Sequence, residues 1–216
     1  MTDINGDTLD ENRVASIVAS HDDPVWVISQ KEAAYVSIVD YSDPAGADFP
    51  ITANIATAGY LHDGGFGHTG NYFMVAANAS NKMVVVDLVN QSLEAVIDAG
   101  NVPHPGRGVN WLDPDYGRVN ATSHVSEGRV LVYGADPVGR PDVAWQVVRD
   151  IPLPSAGSLF IKSHPNSPWV LMDMTKSSTG YSKDICAISR ATGQPIGQPC
   201  GQSHSSELRK QVVLLA

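Results

Sequence analysis

Short runs of β-branched and aromatic residues, four to six long and bounded by Gly, Pro, Asn, Asp or Ser, recur along almost the whole chain. Such punctuation leaves no room for long helices and favours many short strands. The runs are residues 24–28, 35–39, 72–76, 82–87, 129–133, 143–148, 158–162 and 169–174. Residues 79–82 (ASNK) and 126–129 (SEGR) have the composition of hairpin turns. Residues 89–99 fit a short helix or another strand equally well. The fold class predicted is all-β.

The runs are organised in a loose repeat. His62 opens a glycine-rich loop (HDGGFGHTG), followed by an apolar strand and a hairpin ending in MVVVDL. His104 opens another (HPGRG), followed by residues 116–122 and a hairpin ending in RVLVYG. The two histidines are 42 residues apart, close to the roughly 40–45 residues of one propeller blade. Equivalent positions one blade apart face a common axis, so this spacing predicts that both imidazoles converge on one axial pocket. With flanks allowed for, the length corresponds to about four blades. Four blades that fail to close leave strand edges open, the first sign that the chain is incomplete.

Composition bounds the function. The 216 residues are 43% hydrophobic and 17% charged, enough for one sizeable core or two small domains. A net charge of -9 argues against nucleic acid, and requires any anionic substrate to find local positive groups in its pocket. No stretch approaches the ~20 apolar residues of a membrane-spanning helix, so no membrane association is expected. The opening residues MTDINGDTLDEN are acidic and polar, and no export signal is read there. Cys186 and Cys200 are compatible with a disulfide or with two thiols. Cys200 and His204 lack two further ligands at a suitable spacing, so no metal site is expected.

Six segments carry a family resemblance: RVASIVASHDDP (13–24), YLHDGG (60–65), YFMVAANASNKMVVVD (72–87), VPHPGRGVN (102–110), TSH (122–124) and GSLFIKSHP (157–165). In order and spacing they resemble the haem-d1 β-propeller of cytochrome cd1-type nitrite reductases, over residues 11–185. The resemblance implies a partial propeller, about four blades of an eight-bladed domain, over residues 1–190. Residues 191–216 form a tail that does not match the family. It also implies haem d1 as cofactor, His62 and His104 on its distal face, Arg107 at its carboxylate-rich edge, and Phe160 lining the cofactor pocket. Lys162, Asp173, His124 and His164 are read as architectural, and His21, His68 and His204 receive no role.

The chemistry gives the set independent sense. Reduction of nitrite to nitric oxide consumes one electron and two protons and releases water. Histidine titrates near working pH, and two of them can supply both protons while making a cationic pocket. Arginine holds a carboxylate bidentately. Gly64, Gly65, Gly106 and Gly108 would let backbone pass close to a flat macrocycle.

The sequence also departs from the family. It contains no C-x-x-C-H haem c attachment site, and no segment resembling the family's proximal iron ligand. The expectation is a fragment of a longer enzyme, inactive alone, whose haem c lies in the missing N-terminal part. By resemblance the parent is periplasmic and homodimeric, and takes electrons from a small c-type cytochrome or a cupredoxin. Two other functions remain open at this point. One is a haem-d1-binding maturation propeller, expected to lack one distal histidine. The other is a non-enzymatic propeller that binds a protein through an exposed aromatic patch.

Overall fold

The computed structural model describes residues 2–43, 45–46 and 48–195. Fifteen strands and one short 3-10 turn at Asn78–Ser80 account for the regular structure of these residues. The strands form four antiparallel meanders in chain order. The first sheet is β1 (Val14–Ala19), β2 (Val25–Gln30), β3 (Tyr35–Asp40) and β4 (Ile51–Ala56). The second is β5 (Leu61–Phe66), β6 (Tyr72–Ala77), β7 (Lys82–Asp87) and β8 (Ser92–Asp98). The third is β9 (Val109–Asp113), β10 (Gly117–Ser123), β11 (Arg129–Gly134) and β12 (Val147–Pro152). The fourth has three strands, β13 (Ile161–Lys162), β14 (Trp169–Asp173) and β15 (Ile185–Ser189). The all-β prediction therefore holds, with one sheet for each of about four blades.

The chain divides into two compact units, Met1–Pro103 and His104–Ala216. In the first unit β5 packs against β1 and β2. Its core is made by Val18, Val27, Val36, Ile38, Ile55, Leu61, Phe73, Val75, Val84 and Val86. Strands β6 and β7 are buried over nearly their whole length, which explains their unbroken apolar runs. In the second unit the core is made by Trp111, Val119, Val130, Val132, Ile151, Ile161, Val170, Met172 and Ile188, among others.

One local alternative is resolved and three local expectations need correction. Residues 89–99 resolve as strand β8, preceded by an Asx turn in which Asp87 Oδ1 accepts N–H groups from Val89 and Asn90 at 2.8 and 2.9 Å. Of the glycine-rich stretch read as a loop from His62, residues 62–66 belong to strand β5 and only 67–70 turn, because close packing on β6 requires a glycine at residue 64. A Cβ on Gly64 would stand 2.7 Å from Phe73 Cζ and 2.9 Å from the Met74 carbonyl oxygen. Within residues 143–148 only Val147 and Val148 are strand. Residues 143–146 instead form a turn against Gly134, whose N–H donates to the Gln146 carbonyl at 3.0 Å, with Trp145 at φ 59°. Within residues 158–162 only Ile161–Lys162 pair in a ladder, because the Leu159 and Phe160 N–H groups are taken by the Asp173 carboxylate and that of Ser158 by the His124 carbonyl.

The repeat length is also corrected. Strands β3, β7 and β11 open at Tyr35, Lys82 and Arg129, a period of 47 residues. The 42-residue spacing of His62 and His104 is thus not the strand period. His62 is the second residue of β5, whereas His104 precedes β9, which opens at Val109.

Polar groups close the strand ends. Asp113, fully buried at the end of β9, receives two hydrogen bonds from Arg149 on β12 at 2.8 and 2.9 Å, and backbone N–H groups from Asp115 and Tyr116. The guanidinium also stacks 4.9 Å from the Tyr116 ring centre. Burial opposes the Asp113 charge, but the Arg149 and backbone donors outweigh it and hold the carboxyl below its ordinary value. A carboxyl depressed in the folded state contributes stability that is complete above its unfolded value of ~3.9 and is lost as pH falls through its folded value. The melting temperature is therefore expected to hold steady down to about pH 5 and to fall below about pH 4, as thermal unfolding across that range would show.

Candidate functional site: a pinned histidine loop

In the second unit, residues 104–108 (HPGRG) form a short loop ahead of β9. Ser123 at the end of β10 holds its first residue twice. The His104 N–H donates to the Ser123 carbonyl at 2.8 Å, and the Ser123 hydroxyl donates to the His104 carbonyl at 2.9 Å. At the other end, a Cβ on Gly108 (φ +64°) would sit 3.2 Å from Asn120 Oδ1. That amide is itself fixed, accepting from the Tyr133 hydroxyl at 2.7 Å and donating to Asn110 Oδ1 at 2.8 Å. Burial raises the Tyr133 phenol far above its ordinary value, so it remains a donor.

Between these anchors Gly106 has φ +59°, and a Cβ there would lie 3.0 Å from Phe160 Cδ1. Both the backbone conformation and the aromatic neighbour therefore demand glycine. Gly106→Ala is expected to cost about 1–2 kcal/mol, read as a lower melting temperature.

The His104 ring, partly buried, places Nδ1 2.9 Å from the Leu159 carbonyl oxygen. Since a carbonyl only accepts, Nδ1 carries a hydrogen, which leaves the lone pair of the neutral ring on Nε2. Phe160, next in the chain, is 54% exposed, an unusual state for a phenylalanine. The Arg107 side chain is exposed and makes no hydrogen bond or ion pair among the described residues. Three of the four expected site residues, His104, Arg107 and Phe160, thus belong to one loop-and-segment assembly.

His62 lies in the first unit. It sits in β5 where the ladder to β6 is irregular, between Leu61 (paired with Ala77) and Gly64 (paired with Val75). Leu61 is fully buried below it, and Gly64 is clamped against Phe73. His62 is therefore presented on a bulge anchored at both ends, a device common beside active sites. Its Nδ1 lies 3.2 Å from Asp63 Oδ1, with the imidazole 29% exposed.

The remaining histidines fit their architectural reading. His124 is fully buried with Nδ1 3.1 Å from the Arg129 carbonyl, and His164 Nδ1 accepts the Asn166 N–H at 3.2 Å. Cys186 is buried in β15. Cys200, its possible partner, and His204 lie outside the described residues. So does all of the 191–216 tail beyond residue 195. Sequence reasoning misses both the anchoring of His104 by Ser123 and the packing of Asn120 against Gly108. Ser123 lay inside the TSH motif, whereas nothing in the sequence singles out Asn120.

Comparison with known proteins decides the family. The model of the cytochrome D1 heme domain matches residues 1–192. The chain belongs to that family. A curated nitrite reductase of Stutzerimonas stutzeri is 37% identical over 97% of this chain, which spans 39% of that protein's length. Among solved structures, dihydro-heme d1 dehydrogenase NirN in complex with DHE matches with a TM-score of 0.72 at 20% identity, covering 91% of this chain and 38% of that one. Kuenenia stuttgartiensis hydrazine synthase matches with a TM-score of 0.69 at 17% identity, covering 88% and 50%. These structural likenesses establish the propeller fold.

Membership makes haem d1 the group against which the residues of this domain are to be tested. The residues in hand fit such a group. An unengaged guanidinium suits peripheral carboxylates, and an exposed aromatic ring suits the face of a macrocycle; the glycines at 106 and 108 are accounted for by Phe160 and Asn120 of the protein itself.

Proposed function

We propose that this domain forms part of the haem d1 pocket of a nitrite reductase that converts nitrite to nitric oxide, with His62 and His104 as the proton donors. When bound, haem d1 supplies the electron and the iron at which nitrite is held. The chain's own residues do the rest. Each imidazole delivers one proton to the departing oxygen, so that two protons and one electron turn nitrite into nitric oxide and water. While protonated, the imidazoles also attract the anion within a protein of net charge -9. Arg107 binds a haem carboxylate, and Phe160 covers part of the ring.

The observation that carries this reading is the Arg107 guanidinium, exposed and unengaged among the described residues, on the loop that also bears His104. The nitrite reductase relative supports the substrate. Haem c, the periplasmic location, the homodimer and a c-type cytochrome or cupredoxin donor belong to the same proposal and rest on the family resemblance. A maturation propeller acting on haem d1 is the second reading; retention of both histidines favours nitrite turnover over it.

Titration of haem d1 into the purified protein, followed by visible absorption, tests the cofactor role. Arg107→Ala is expected to weaken binding by roughly tenfold or more, the scale of a lost charge-assisted hydrogen bond. Equal affinities for the two proteins would remove Arg107 from the site.

A further inference from the structure

The imidazole of His104 meets a carboxylate one peptide group away. Its Nδ1–H donates to the Leu159 carbonyl at 2.9 Å. The same peptide unit presents the Phe160 N–H, which donates to Asp173 Oδ1 at 2.7 Å. Asp173, at the end of β14, also accepts the Leu159 N–H at 2.9 Å and the Ser158 hydroxyl at 3.2 Å on Oδ1, and the Thr175 N–H at 3.1 Å on Oδ2. Three of these four bonds go to residues 158–160, the segment that faces His104 rather than the turn that follows Asp173.

We infer that Asp173 is a positioning residue for His104, acting through the Leu159–Phe160 peptide to fix the Nδ1–H tautomer and leave proton exchange to Nε2. The inference rests on the proton-donor reading of His104. An ionised acceptor pulls on the Phe160 N–H and polarises that peptide, which makes the Leu159 oxygen a better acceptor for the imidazole. Burial acts against the Asp173 charge, but the N–H groups of Phe160, Leu159 and Thr175 outweigh it and keep the carboxyl below its ordinary value. The carboxylate also explains why residues 158–160 leave the ladder that Ile161 joins. Their N–H groups point at a side chain and, for Ser158, at the His124 carbonyl at 3.0 Å.

The test uses the imidazole nitrogen shifts of isotopically labelled histidine in the full chain, at alkaline pH where imidazoles are neutral. The ratio of Nδ1–H to Nε2–H at His104 is expected to fall about fivefold in Asp173→Asn and about tenfold in Asp173→Ala. His124, whose ring faces the Arg129 carbonyl instead, serves as the internal control and keeps its ratio. A folded Asp173→Asn protein with an unchanged His104 ratio overturns the inference. So do equal changes at His104 and His124, which mark general loosening. If Asp173→Ala does not fold, Asp173→Asn decides. Intact nitrite turnover in His104→Ala would remove the proton-donor reading and leave the tautomer result standing, so the two failures are distinguishable.

Discussion

Nitrite turnover by the full-length, haem-loaded protein is expected to fall by about 10²–10⁴-fold in His104→Ala, the usual contribution of a positioned proton donor. His62→Ala should lose a comparable factor, because the two protons are needed in one reaction and neither imidazole does the other's work. On the roles proposed for Arg107 and Phe160, both variants are expected to keep binding haem d1. The loss should appear in kcat more than in KM, because an imidazole that gives up its proton as the N–O bond breaks acts chiefly in the transition state. Steady-state nitrite consumption with a chemical reductant measures it. A rise in KM alone would mean that the histidines only attract the anion.

The second large effect concerns folding. Asp113→Ala strips the partner from Arg149, whose side chain is only 17% exposed, and leaves the Asp115 and Tyr116 N–H groups without their acceptor. Removing one member of a buried pair costs about 3–5 kcal/mol, a large part of the stability of an ordinary domain. Asp115 retains one contact with Arg149 at 2.7 Å but is itself mostly exposed, so it softens the loss only slightly. Chemical denaturation should show the midpoint moving strongly downward in Asp113→Ala. Arg149→Met, which removes the buried charge and keeps apolar bulk against Tyr116, is expected to lose less.

The central strands were legible because their chemistry is local. Residues 82–87 carry an unbroken apolar run between a lysine and an aspartate, and β7 has those bounds. β5 was not legible. Its histidine, aspartate and glycines have the composition of a turn, and only Phe73 and Met74 across the ladder explain why Gly64 must be bare there. Residues 158–160 failed in the opposite sense, reading as strand while Asp173, 13 to 15 residues away in sequence, takes two of their N–H groups and a hydroxyl. The site shows the same division. His104 and Arg107 were visible from their motif, but the ring's anchor at Leu159 is 55 residues away and Ser123 is 19 away. Contacts between a side chain and distant backbone impose no period and no composition, so nothing along the chain announces them. The histidine spacing of 42 residues is not the strand repeat, since the third strands of the first three sheets open 47 residues apart.

The most direct measurement is the nitric oxide released in a single turnover by reduced, haem-loaded His62→Ala/His104→Ala protein, mixed rapidly with nitrite. Supply of protons by the two imidazoles predicts that nitrite is taken up while nitric oxide forms at least about a hundredfold more slowly than in the unmodified protein. Release at the unmodified rate would contradict it.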